Sequence, residues 1–168
     1  MTAPRTAWTP GNDEPPRRND EELPLNAVSP NEAQDLAWLL RGLGDEVPAI
    51  RGSVLLSADG MLKAAHGFDR TSAEQMAALA SSLFSITRSA GTRFDGSNEV
   101  RQVVAELRSS QLFISWAGFN SVLAVMASAD ADPAVVGFEM ARLIRAVRPF
   151  LHTAARPAAA ASDRAPSP

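Results

Sequence analysis

The sequence predicts an α/β (α+β) sandwich of order αββαβββα: a five-stranded, largely antiparallel sheet with helices on both faces. Three observations carry that expectation. Leu112-Phe-Ile-Ser-Trp116 and Val122-Leu-Ala-Val-Met126 are apolar at both alternating positions, the pattern of strands covered on two sides. Lys63 in one strand, and Glu99, Arg101 and Glu106 in another, interrupt the apolar pattern with charge, as edge strands do. Three amphipathic segments with helix-start signals supply the cover.

Taken in order, Ser29-Pro30-Asn31-Glu32 offers an N-cap serine, a proline in the first turn and a glutamate placed to close a capping box. The helix it opens carries Leu36, Leu39, Leu40 and Leu43 on one face and should stop between Gly44 and Pro48. Residues 52–57 and 61–65, joined by Asp59-Gly60, read as a β-hairpin. Thr71-Ser-Ala-Glu74 repeats the capping-box pattern and opens a second helix to about Ala90. Three strands follow, at 99–107, 111–117 and 121–127, with turns at Arg108-Ser-Ser and Gly118-Phe-Asn. Asp132 caps the last helix, whose stripe is Val136, Met140, Leu143, Val147 and Leu151.

Proline usage sets the boundaries. Of the twelve prolines, six fall in residues 1–30 and three in 157–168. Residues 1–29 therefore read as a disordered Pro-rich arm, 30–153 as the folded domain and 154–168 as a disordered Ala/Pro tail. Trp8 is a lone aromatic in the arm, either an incidental residue or a docking anchor.

The chain has 168 residues, formal charge −3 and no cysteine, which excludes a disulfide framework, a thiolate metal site and a cysteine nucleophile. An acidic balance argues against a nucleic-acid partner. The longest apolar run, residues 122–127, is too short to span a bilayer, and no secretory signal is visible. A cytoplasmic location is the expectation.

Chemical motifs are sparse. There is no phosphate-binding GxxxxGK[ST], no GxSxG and no SxxK. Gly42-Leu-Gly44 reads as helix termination rather than a nucleotide loop, and Leu36-Ala-Trp-Leu-Leu40 as a core stripe rather than a docking LxxLL. His66 and His152 stand apart in the sequence, without a ligand partner at metal spacing. Asp130 and Asp132 resemble a cation site only weakly, because the cap role accounts for Asp132. Arg142, Arg145 and Arg148 read as a solvated helix face. No catalytic residues, metal ligands or cofactor-binding residues emerge, so a binding protein is expected.

The second helix is where a partner is expected. Met76, Leu79, Leu83 and Ala90 read as its inward face, and Ala77, Ala78, Ser81, Ser82, Ser85 and Arg88 as its outward face, with Phe84 on one flank. Small residues and little charge around an aromatic suit an interface core. The edge strand at 99–107 adds Val100, Val103, Val104 and Leu107, with Glu99 and Arg101 able to cross-pair in a C2 dimer whose sheet continues between copies.

Residues 48–151 resemble the roadblock (dynein light chain) family, and within it the bacterial branch encoded in conservon operons. The matching pieces are VLLSADG with its hairpin, the capped Ala/Ser-rich helix, VRQVVAEL and DPAVVGFEMARL. The resemblance implies a homodimer formed through the second helix and third strand, acting as regulator or scaffold beside a small Ras-like GTPase. For the bacterial branch it adds a membrane sensor-kinase-like protein and a small helix-turn-helix-like protein as partners, and with the former a position peripheral to the inner face of the membrane. Gliding-motility relatives accelerate GTP hydrolysis by repositioning the GTPase's own groups, without an arginine finger. Carried onto this sequence, the resemblance places Glu74, Ala77, Ala78, Ser81, Phe84, Ser85 and Arg88 on the dimer and GTPase-facing surface. Two other readings stand beside it: a nucleotide-indifferent assembly scaffold, and a small-ligand sensor, which the Leu/Ile/Val/Trp/Met-filled central strands disfavour.

Overall fold

The structure, a computed structural model, describes residues 30–153. The element order is α1 (Pro30–Glu46), β1 (Ile50–Ser57), β2 (Leu62–His66), α2 (Arg70–Phe94), β3 (Gln102–Glu106), β4 (Ser110–Gly118), β5 (Ser121–Ser128) and α3 (Pro133–Thr153). All strand pairs are antiparallel, in the spatial order β2-β1-β5-β4-β3. The sandwich is therefore the expected one, with the charged strands β2 and β3 at the edges. The arm, the tail, Trp8 and the Ser29 cap lie outside the described residues.

The sheet divides two cores, because alternate residues of each central strand point to opposite faces. On one face α1 and α3 cover Leu55, Phe113, Leu123 and Val125 with Leu36, Leu40, Leu43, Val136, Met140, Val147 and Leu151. The first and last helices thus bury the stripes their sequences announce. On the other face α2 covers Val54, Leu56, Leu112, Ile114, Val122 and Ala124.

Helix starts are set by side chains. Asp69, not Thr71, caps α2: its carboxylate accepts from the Ser72 backbone N–H at 3.0 Å and from the Ser72 hydroxyl at 2.6 Å. Those bonds hold the Asp69 carboxyl below the usual carboxylate range. The capping signal lies two residues earlier than the Thr-x-x-Glu pattern suggests, and Glu74 pairs instead with Arg70 at 2.9 Å. Asp132 caps α3 as expected, accepting from the Ala134 N–H at 2.8 Å.

Two turns depend on left-handed backbone. Gly67 has φ +77°, and a Cβ there would lie 2.4 Å from the Arg51 carbonyl oxygen, so only glycine fits between β2 and α2. The β4–β5 turn places both central residues, Phe119 (φ 47°) and Asn120 (φ 55°), at positive φ, which matches the twist of a tight hairpin. That turn is tied to the β1–β2 hairpin. The Lys63 ammonium donates to Ser121 Oγ at 2.8 Å, and the Ala58 N–H donates to the Asn120 carbonyl at 3.0 Å.

Candidate functional site

The second helix is turned about its axis from the sequence expectation: Leu79 and Leu83, expected inward, are exposed and Ala77 is buried, while Met76 packs inward and Ala78, Ser82 and Ser85 are exposed as expected. Its buried residues are Ala73, Ala77, Ala80 and Phe84, a stripe at helical spacing. Leu79 (60% exposed), Leu83, Ile86 (66%) and Phe94 (83%) face away from the sheet. The reason is volume. The strands beneath α2 already fill the layer with Val54, Leu56, Leu112, Ile114 and Val122, so the helix must approach closely, and only methyl groups fit underneath. Phe84 is the one large side chain of the stripe, and its ring stacks on that of Trp116 near the end of β4 at 5.9 Å with an interplanar angle of 11°.

Two of the expected surface positions, Ala77 and Phe84, are therefore core residues and not available to a partner. Ser81 is half-buried and donates its hydroxyl to the Ala58 carbonyl at 2.8 Å, which fastens α2 to the β1–β2 turn. Glu74, Ala78 and Ser85 are exposed. Arg88 is half-buried at the rim of a small cleft that Phe84, Glu99 and Trp116 also line, with a volume of about 220 Å³.

The third strand differs in length. It begins at Gln102, so Glu99 and Arg101 are exposed residues of the approach to β3 rather than members of the ladder. Val103 is half-buried and packs toward the α2 core, while Val104 on the opposite face is 46% exposed. β3 pairs with β4 on one side only, leaving the N–H and C=O groups of its other side unpaired within the sheet. Leu107, just past the strand, is 53% exposed.

The structure thus brings together an exposed apolar stripe on α2 and an open strand edge beside it. Leu79 and Leu83 were expected inward because they are larger and more apolar than the alanines that take the core; Ile86 was assigned to neither face, and Phe94 lies past the expected helix end near Ala90, which the structure extends to Phe94. The signal that could have found them is that α2 carries two apolar stripes, and a helix with sheet on one side needs only one. The stripe and the open edge beside it make a surface of the kind that marks protein association.

Elsewhere the geometry offers little chemistry. Among the described residues no cluster of three or more His, Cys, Asp or Glu is arranged to hold a metal ion. Burial lowers the Lys63 ammonium below its ordinary pKa, against the opposing pull of the Asp59 carboxylate, but its partner Ser121 is fully buried. That pair serves as a tie between hairpins and not as a nucleophile and base. Asp130 is held below the usual carboxylate range by the Ser128 hydroxyl, and Arg142 is committed to Glu139 and Glu46. No helix among the described residues is long and apolar enough to cross a membrane.

Comparison with known proteins agrees with this architecture. A model of the Roadblock/LC7 domain matches residues 36–127. A Roadblock/LC7 domain from Streptomyces avermitilis is 53% identical, with 69% of this chain and 97% of that one covered and a TM-score of 0.68. MglB from Myxococcus xanthus is 15% identical, with 76% and 95% covered and a TM-score of 0.67. An MglB in a tetrameric arrangement is 17% identical, with 76% and 96% covered and a TM-score of 0.69. At those identities the two MglB structures speak to the fold. Among curated protein sequences nothing matches.

Proposed function

The chain belongs to the Roadblock/LC7 family, and from that premise we propose that it is a non-enzymatic, homodimeric regulator of a small Ras-like GTPase in a bacterial multi-component signalling system. The observation that carries the reading is the uncovered apolar stripe of α2 next to the open edge of β3. Two copies related by a two-fold axis would remove both liabilities at once. With the axis through Val104, Gln102 of one copy faces Glu106 of the other, and the sheet runs on to ten strands. The two α2 helices then lie side by side and bury Leu79, Leu83 and Ile86 against their counterparts. Self-association of an MglB of the same fold, in a tetrameric arrangement, is in keeping with such a surface.

The paired helices, with Glu74, Ala78, Ser85 and Arg88 exposed or half-exposed along them, form the face we assign to the GTPase. A protein with no catalytic group of its own can change the nucleotide state only as far as it binds one switch conformation better than the other. A membrane sensor-kinase-like partner, as the family resemblance implies, would bring this cytoplasmic dimer to the inner membrane face.

The test is a titration against the Ras-like GTPase encoded nearest to this chain, loaded with GDP and then with a non-hydrolysable GTP analogue. Tighter binding to one state supports the regulator, and hydrolysis assays then separate activation from effector binding. Equal binding to both states makes the protein a nucleotide-indifferent scaffold, and no binding to either removes the proposed partner.

A further inference from the structure

On the sheet face away from α2, α1 and α3 leave between them a groove of about 380 Å³. Its floor is Leu39 and Leu143, and one wall is Trp38, an indole that is 72% exposed although it sits in the middle of a helix. Gly42 opens the floor further. It is an interior helix residue with ordinary φ, and a Cβ added there would meet nothing within 4 Å. Glycine is a poor helix former and no contact in the described residues calls for it here, so the notch is space that the fold itself leaves unused. The far end of the groove is acidic. Asp45, Glu46 and Glu139 meet there with a single cation, Arg142, which lies 3.3 Å from Glu46 and 3.1 Å from Glu139. Asp45 has no ion-pair partner among the described residues.

An exposed indole, an apolar trough and unbalanced carboxylates are together the chemistry that receives a proline-rich segment bearing arginine. Proline rings stack on the aromatic wall, and a polyproline II backbone enters with little entropy left to lose. The chain contains such a segment. Pro15-Pro16-Arg17-Arg18 lies in residues 1–29, and no other stretch outside the described residues pairs two prolines with two arginines. We propose that Pro15–Arg18 of this chain docks in its own α1–α3 groove, with the prolines against Trp38 and the arginines at Asp45, Glu46 and Glu139.

The dimensions allow it. Trp38 and Glu46 are eight residues apart on α1, or about 12 Å along the axis. Two prolines and two arginines in polyproline II geometry cover about 9 Å, and the arginine side chains supply the rest. Eleven residues, or twelve backbone steps, join Arg18 to Pro30, the first residue of the helix that forms the wall, and span up to about 40 Å when extended. That exceeds the roughly 24 Å from Pro30 to Glu46 along α1. Arg17 and Arg18 are opposite in charge to the carboxylates they meet, within a segment whose flanks (Asp13 and Glu14, Asp20, Glu21 and Glu22) are acidic, and the contact leaves the α2–β3 surface free.

The chain has no cysteine, so Asn19→Cys in the full-length protein accepts a single nitroxide label next to the proposed segment. The expected result is selective loss of NMR intensity at the amides of Gly42 and Glu46 and at the Trp38 indole, with α2, on the other face of the sheet, unaffected. Arg17→Glu with Arg18→Glu in the same labelled chain should restore those signals, as should Gly42→Leu, which fills the notch. Absent or uniform broadening overturns the proposal. A mixed sample, in which isotope-labelled chains carry no nitroxide and nitroxide-bearing chains carry no isotope, identifies the donor. Broadening that persists in that mixture assigns the groove to a second copy and overturns docking within one chain.

Discussion

Ile86→Ala separates the two faces of α2 in a single measurement. Ile86 is 66% exposed in the isolated chain, so its removal costs the fold almost nothing, while alanine is the better helix former. Fully burying an isoleucine is worth about 1.5–3 kcal/mol, and the two thirds still exposed here represents about 1–2 kcal/mol. A two-fold axis counts the change twice, giving about 2–4 kcal/mol, or roughly 30- to 1,000-fold in the dimer dissociation constant. Alanine keeps the β-carbon, which places the expectation near the lower end of that range. Sedimentation equilibrium over a concentration series reads the dissociation constant. Urea unfolding at concentrations where the chain is monomeric reads its stability, expected to stay within about 0.5 kcal/mol of wild type. A wild-type chain that stays monomeric, or an Ile86→Ala variant with an unchanged dissociation constant, refutes the reasoning. So does a large loss of monomer stability, because it would place Ile86 in the core.

Phe84→Ala is the complementary case. It empties a buried site and removes the ring stacked on Trp116, so it should cost about 3–5 kcal/mol and lower Tm by roughly 10–20 °C, read by urea and thermal unfolding of the monomer. Lys63→Met addresses pH. Burial lowers the Lys63 pKa in the folded state below the ordinary 10.5, so between the two values the unfolded chain binds more protons and stability rises with pH. The chain has no tyrosine, no cysteine and no other lysine, so this rise belongs to Lys63 and should vanish in the methionine variant, as denaturant unfolding from pH 8 to 11 will read.

Most of the architecture was legible in the sequence because each cue was local and physical. Asp132 and Pro133 announce the last helix, the two-sided apolar runs announce β4 and β5, and the charges on Lys63 and Glu106 mark the edges. The orientation of α2 was not legible, for a reason outside the helix. Ala73, Ala77, Ala80 and Phe84 compete for the core with Leu79, Leu83 and Ile86, and larger side chains win when a helix is read alone. What decides between them is the space above the sheet, which depends on five strands that lie elsewhere in the chain. The ends of β3 were obscured in a similar way. Val100 has the composition of a strand residue, but the ladder with β4 begins only at Gln102. The α1–α3 groove left a faint trace in Trp38 and Gly42, two residues that fit poorly with a helix packed on both flanks.

The underside of α2 has a consequence for how the protein opens. Three alanine methyls, the Phe84 ring and a half-buried Met76 hold this helix to the sheet, whereas α1 and α3 grip the other face with eight buried aliphatic side chains between them. Burial free energy follows apolar area, so the layers differ in how much each must give up to detach. Of the three helices, α2 is the one that lifts away at least cost, while the rest of the sandwich stays assembled behind the sheet. Its own ladder of internal bonds and the Ser81 fastening are then its main restraint. A second copy pressing on Leu79, Leu83 and Ile86 would clamp the helix from outside, so association and the firmness of this layer are one linked equilibrium.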